Sequence, residues 1–200
     1  MHWKTTLVRI LMVVLGIIVG GVLAVITTFT LIAVEVNAAQ TTVNGWSINL
    51  KCNIPGNDIL LQAACATILP MANVPEEAAY WTAIRDSTGQ RLNGQHDYIL
   101  QFPAGQLPPN KAFWSLTMTD VQSHMVNNSI NRYSVGDRSG LVPNADGSTD
   151  IYIQNAAPVG HESNWLPAPT GNFKLWLRAY LPGAAILEDK YNVPPVVAVK

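Results

Sequence analysis

Phe173-Lys174-Leu175-Trp176-Leu177-Arg178-Ala179-Tyr180 sets small or apolar side chains at every second position. Successive side chains of an extended strand point to opposite faces, so Phe173, Leu175, Leu177 and Ala179 share one face and Trp176, Arg178 and Tyr180 the other. The stretch predicts a strand with one side in a core. Its aromatic-arginine-aromatic side has two readings. It is either a binding surface working through stacking and charge, or packing in which the arginine snorkels to water.

Outward from this strand the same pattern recurs in short pieces. Trp46, Ile48 and Leu50 alternate, and further strands are predicted over 80–85, 98–102, 113–119, 131–135, 151–154 and 196–199. Asp86-Ser87-Thr88-Gly89 and Asn144-Ala145-Asp146-Gly147 supply turn residues that tolerate unusual φ, while Pro103, Pro108, Pro109, Pro167 and Pro169 enforce longer connections. All 13 prolines and 11 of the 14 glycines lie in residues 37–200, which disfavours a helical bundle. About eight strands result, the number of a jelly-roll-like β-sandwich, with a closed barrel as the alternative. One helix is predicted over 59–69, capped by Asp58 or Asn57 and closed by Pro70, and Pro75-Glu76-Glu77 can start one more turn.

The uncharged run 10–34 precedes all of this. It exceeds the roughly 20 residues a helix needs to cross a bilayer's hydrocarbon core. The chain therefore divides into a single transmembrane anchor, residues 1–36, and an exported domain, residues 37–200. Lys4 and Arg9 lie before the run, Glu35 follows it, and the next basic residue is Lys51. That bias puts the N-terminus in the cytoplasm and the domain on the periplasmic or extracellular side of the inner membrane. Cleavage after Ala38, within Val36-Asn37-Ala38-Ala39, is the competing reading, but a secretory apolar core has only about 7–15 residues. Gly16 and Gly20 have the spacing that lets two membrane helices approach, the basis for a homodimer; glycine is also common in membrane helices generally.

Residues 37–200 carry 10 Lys+Arg and 12 Asp+Glu without runs. No basic stripe for nucleic acid is present, and no polybasic segment for anionic lipid heads. Cys52 and Cys65, the only cysteines, fall in a compartment where disulfides persist, so a bridge between them is one expectation. The other is that Cys65 is a small buried apolar residue beside Leu61, Ile68 and Leu69 on one helix face.

Arg91-Leu92-Asn93-Gly94, Tyr98-Ile99-Leu100-Gln101-Phe102-Pro103 and Phe113-Trp114-Ser115-Leu116-Thr117 resemble the bacterial domain-of-unknown-function 1214 (DUF1214) family. Tyr133-Ser134-Val135-Gly136-Asp137-Arg138, Asn144-Ala145-Asp146-Gly147-Ser148, Asn164-Trp165-Leu166-Pro167-Ala168-Pro169 and Pro194-Pro195-Val196-Val197 follow in the same order. The resemblance covers residues 80–200 and, more loosely, the helix from Asp58. It implies a jelly-roll-like sandwich and a membrane-anchored or exported bacterial protein, and supplies no reaction. The companion domain 1254 of longer members has no counterpart in this sequence. Where the family has Asp-Pro-Tyr and then an arginine, this chain has Asp58-Ile59-Leu60 and Gln62.

No Gly-x-Ser-x-Gly elbow, zinc-type histidine pair or phosphate-cradling glycine loop occurs, so no cofactor or metal is expected. His96, His124 and His161 fall in predicted loops, and His2 precedes the anchor. Residues 144–150 have the oxygen donors of a calcium loop, yet its twelfth position is Asn155 instead of glutamate, which favours a hairpin turn. Asn127-Asn128-Ser129 is a glycosylation sequon only in a eukaryotic source. Tyr133, Arg138, Asn164 and Trp165 form the candidate ligand-binding set, a polar and aromatic pocket for a neutral or anionic ligand. Their scaffold reading pairs Arg138 with a carboxylate, plugs the sandwich with Trp165 and ties loop backbone with Asn164. The leading functional expectation is a non-enzymatic membrane-anchored module that binds an envelope protein, glycan or lipid. The alternative is a hydrolase or lyase acting on envelope material, with acid/base groups drawn from Asp120, Asp137, Asp146, His124 or His161.

Overall fold

The computed structural model describes residues 2–69 and 72–199. It divides into a helical unit, from residues 1–39 and 56–70, and a β body, from residues 40–55 and 71–200.

In the helical unit, α1 (His2–Ala39) is the one helix among the described residues long and apolar enough to cross a membrane. At 1.5 Å per residue it is about 57 Å long. The Thr28 and Thr30 hydroxyls donate to the carbonyls of Ala24 and Ile26, each at 2.8 Å, so these polar groups are satisfied by their own helix. The helix runs past residue 36 to Ala39, because nothing between Val34 and Ala39 breaks it. α2 (Ile59–Ile68) starts where expected. Asp58 Oδ1 accepts from the amides of Leu60 and Leu61 at 2.9 and 3.1 Å, satisfying two of the free first-turn donors. Leu69 ends the helix with its amide on Cys65 O; Pro70, expected to close it, lies outside the described residues. Leu61, Ala64 and Cys65 form its buried side.

Among the described residues the β body holds ten strands: β1 (Thr41–Val43), β2 (Trp46–Ile48), β3 (Ala78–Ala83), β4 (Tyr98–Phe102), β5 (Asn110–Asp120), β6 (Ser134–Gly136), β7 (Thr149–Gln154), β8 (Trp165–Pro167), β9 (Phe173–Pro182) and β10 (Val196–Ala198). They make a six-stranded sheet, β1-β2-β3-β9-β5-β6, and a four-stranded sheet, β10-β4-β7-β8. The mainly β reading holds, with two strands beyond the eight. β1 lies outside the predicted strands, because pairing of Thr41 to Ile48 and Val43 to Trp46 replaces any hydrophobic signal. β8 contains Pro167, which reads as a loop, but it is an edge strand pairing in parallel with β7, where a missing amide is tolerated. A short α3 (Ala184–Leu187) follows β9.

The two sheets share one core. Phe173, Leu175, Leu177 and Ala179 of β9 are at most 1% exposed, and meet Trp81, Trp114, Leu116 and Met118 of their own sheet and Tyr98, Leu100, Phe102, Ile151 and Ile153 of the other. Ring contacts cross the interface, Tyr98 to Phe173 at 5.8 Å and Phe102 to Trp114 at 5.4 Å. Burying one such aliphatic side chain contributes about 1.5–3 kcal/mol. Two glycines are sterically required. A Cβ on Gly94 would sit 1.5 Å from Pro169 O, and one on Gly136 2.2 Å from Trp114 O.

Turn chemistry fixes the connections. Asp86 is buried and its Oδ1 accepts from the Thr88 amide, the Thr88 hydroxyl and the Gln90 amide at 2.8, 2.7 and 3.0 Å. Burial alone would raise its pKa, but these donors outweigh it and hold the carboxyl below its usual range. In the 144–148 turn, Asp146 accepts from the Ser148 amide and hydroxyl, and Gly147 takes φ 82°. Cys52 is buried in the β body and Cys65 on α2; neither carries a free thiol.

Gly94→Ala is expected to cost about 3 kcal/mol or more, whereas Gly171→Ala, with open space and ordinary φ, stays within about 0.5 kcal/mol. Denaturant unfolding of both checks this. Because the Asp86 pKa is depressed on folding, its contribution is present above about pH 4 and lost as pH falls through the folded value. Asp86→Ala should therefore cost about 1–3 kcal/mol at neutral pH and progressively less in acid, as read from unfolding curves across pH.

Candidate functional site

β9 is paired on both sides, so its outward side chains sit in the middle of the six-stranded sheet's outer face. Register sets their neighbours: Thr82 and Thr117 flank Trp176, Tyr80 and Ser115 flank Arg178, and Thr119 faces Lys174. On this face, at the start of β9, lies a groove of about 400 Å³. Ser47 and Thr82 line it from β2 and β3, Arg91 and Asn172 from the loops, Lys174 from β9 and Gln40 from the chain before β1. Ile84, Leu92, Val121 and Phe173 supply apolar wall. The loops are held there by pairing: the Gly94 amide donates to Gly171 O, the Phe173 amide to Leu92 O, and Asn93 Nδ2 to Asn172 Oδ1 at 2.8 Å.

The groove lining holds two cations and no carboxylate. Arg91 makes no ion pair among the described residues. Lys174 Nζ donates to Ser123 Oγ at 2.9 Å and lies 5.5 Å from the Trp176 ring centroid. Burial pushes the Lys174 ammonium pKa down, and the Asp120 carboxylate pulls the other way. The Arg178 guanidinium stands 5.9 Å from the same ring and donates to Thr117 Oγ1 at 3.2 Å. Trp176 Nε1 is buried without an acceptor. Further along, Tyr180 stacks on Phe113 at 4.3 Å, with Arg138 4.5 Å over the Phe113 ring.

None of Tyr133, Arg138, Asn164 and Trp165 lines this groove. Tyr133 O accepts from Met118 N, whereas Arg138 Nη2 donates to Ala112 O at 3.2 Å, six residues away along β5, about 20 Å. Asn164 is buried and its amide is fully used, accepting from Val142 N and donating to Val142 O and Asp150 O, each at 2.8 Å. Trp165 Nε1 donates to Gln154 O at 2.8 Å. The neighbouring Arg132, not singled out in the sequence, donates to Glu162 O and Trp165 O and ties this corner to the β6 approach.

Of the candidate acid/base groups, Asp120 and His124 meet, with Oδ2 3.2 Å from Nδ1. The His124 amide, opposed by partial burial and aided by the ring and the Gln122 amide, holds the Asp120 carboxyl below its usual range. The His124 side chain is 78% exposed, so no dry cleft surrounds the pair. His161 packs against Tyr152 at 4.7 Å, Asp146 serves its turn and Asp137 is exposed. No group of three His, Cys, Asp or Glu arranged to hold a metal is present among the described residues.

A two-sheet β protein with a polar, cation-lined groove on one outer face, preceded by a helix able to cross a membrane, is thus the class defined. The chain belongs to the DUF1214 family, described as proteins of unknown function; the family profile matches residues 77–184, more than half of the chain, from the residue before β3 to the first residue of α3. A search of curated proteins returns no match. Among solved structures, a protein from Vibrio parahaemolyticus is 32% identical with a TM-score of 0.61, covering 70% of this chain and 35% of that one. A protein from Burkholderia cenocepacia is 18% identical with a TM-score of 0.48, covering 70% and 33%. The chain spans about a third of the length of each.

The hydrogen bonding separates scaffold from surface among the four candidates. Asn164→Ala removes three part-buried hydrogen bonds to backbone and should cost about 2–4 kcal/mol, whereas Arg138→Ala should stay within about 0.5–1 kcal/mol. Thermal denaturation of the two variants measures the difference.

Proposed function

We propose that this protein is a membrane-anchored envelope module that binds a ligand in the outer-face groove without transforming it. The groove carries the reading: it has the volume of a small-molecule site, apolar walls, and polar donors converging from five separate segments. α1 is the anchor, with the β body on the periplasmic or extracellular side, in keeping with Lys4 and Arg9 ahead of the apolar run. Gly16 and Gly20 lie one turn apart, and a Cβ added at either would meet no other part of the fold within 4 Å, which leaves them available for pairing two anchors.

A second reading, a hydrolase or lyase acting on envelope material, draws on Asp120 with His124 and on the Ser123 to Lys174 contact at the groove rim. Neither pair is shielded from water, and Asp120 already accepts from two turn amides.

Full-length protein in nanodiscs should be stabilised by a fraction of envelope extract, by about 2–3 kcal/mol when ligand is near 100 times Kd. Thr82→Trp, which fills the groove, should abolish the shift. Recovery of the ligand chemically unchanged supports the binding module. Turnover that disappears with His124→Ala supports the second reading instead.

A further inference from the structure

We propose that the groove takes a phosphate-bearing anion, with Arg91 and Lys174 as its two charged contacts. The inference rests on the binding reading above and names its ligand class. Three observations carry it.

First, the sign of the site is one-sided. Arg91 and Lys174 line the groove with no carboxylate between them, and the hydroxyls of Ser47 and Thr82 and the Gln40 amide add neutral donors. A guanidinium and an ammonium set against hydroxyl donors match an oxyanion with several acceptor oxygens better than a neutral glycan, which offers as many donors as acceptors. Second, the carboxylates close to these cations are already engaged. Asp120 accepts from the Gln122 and His124 amides and contacts the His124 ring, and Asp86 accepts from Thr88 and Gln90. They lower the local positive potential without closing the site. Third, Lys174 is half-buried beside the Trp176 ring, where weaker screening than in open water strengthens its attraction to an anion.

The charges come together through the fold, from a loop after β3 and from the start of β9, which is how a chain with no basic run can still present them.

The test uses full-length protein in a neutral detergent, titrated with short-chain phosphatidylglycerol, with short-chain phosphatidylcholine and with inorganic phosphate, read by native mass spectrometry and thermal shift. The expected result is saturable binding of phosphatidylglycerol at least tenfold tighter than phosphatidylcholine. Arg91→Gln and Lys174→Gln should each weaken it about tenfold or more, Arg91→Lys should restore most of it, and Lys111→Gln, on β5 outside the groove, should change it less than twofold. Inorganic phosphate binding as tightly as the lipid assigns the site to a free phosphate compound in place of a lipid. Equal binding of the two lipids and none of phosphate, or insensitivity to both groove charges, overturns the proposal. If Thr82→Trp still abolishes stabilisation by extract while these charge variants do not, the groove is a binding site for another ligand; if neither acts, both readings fall.

Discussion

Burial of one side of β9 is the constraint from which the rest follows. Phe173, Leu175, Leu177 and Ala179 are at most 1% exposed, and β9 has β3 on one side and β5 on the other. A strand hydrogen-bonded along both edges cannot slip by one residue without turning its apolar set to solvent and its lysine, tryptophan and arginine into the core. The outer face is therefore dictated by the inner one. Lys174, Trp176, Arg178 and Tyr180 are displayed in a row because their alternate neighbours are needed inside, and β3 and β5 must supply Thr82, Tyr80, Thr117 and Phe113 beside them.

Much of this was legible before any coordinates. Period-two alternation identified β9 and β2, and the cap chemistry of Asp58 located the start of α2. What escaped had no local signal. β1 is three residues whose pairing to β2 is its only reason to be extended, and β8 carries a proline that sequence logic assigns to a loop. The groove was half legible. The period that places Trp176 and Arg178 outward also places Lys174 there, but Arg91 reaches the same region only through the Asp86 turn and the pairing of segment 92–94 with 171–173. Contacts between segments so distant in sequence carry no periodicity to read.

The blocks that carry the family resemblance turn out to mark the scaffold. Gly94 and Gly136 are places where two backbones approach too closely for any Cβ. Asn144 and Asp146 close a turn, and Asn164 binds three backbone groups of two other segments. Such residues specify how the connections cross the ends of the sheets, and a role in the fold says little about what a protein binds. Lys174 and Thr82 sit on ordinary strand positions, where side chains can vary without disturbing backbone geometry.

The charge distribution follows from the same division of labour. Glu188 pairs with Lys190, and the Asp120 carboxylate contacts the His124 ring. The aspartates accept from backbone amides instead: Asp58 at a helix start, Asp86, Asp120 and Asp146 in turns. The cations of the outer face lie against rings, Arg138 on Phe113 and both Lys174 and Arg178 beside Trp176. Carboxylates that stabilise turns are fixed where the turns are, away from the middle of a sheet. Cations that rest on aromatic rings keep their outward donors and are not neutralised by a partner. A chain of formal net charge −1 thereby presents a sheet face of the opposite sign, and the electrostatic character of that face is a property of the fold instead of the composition.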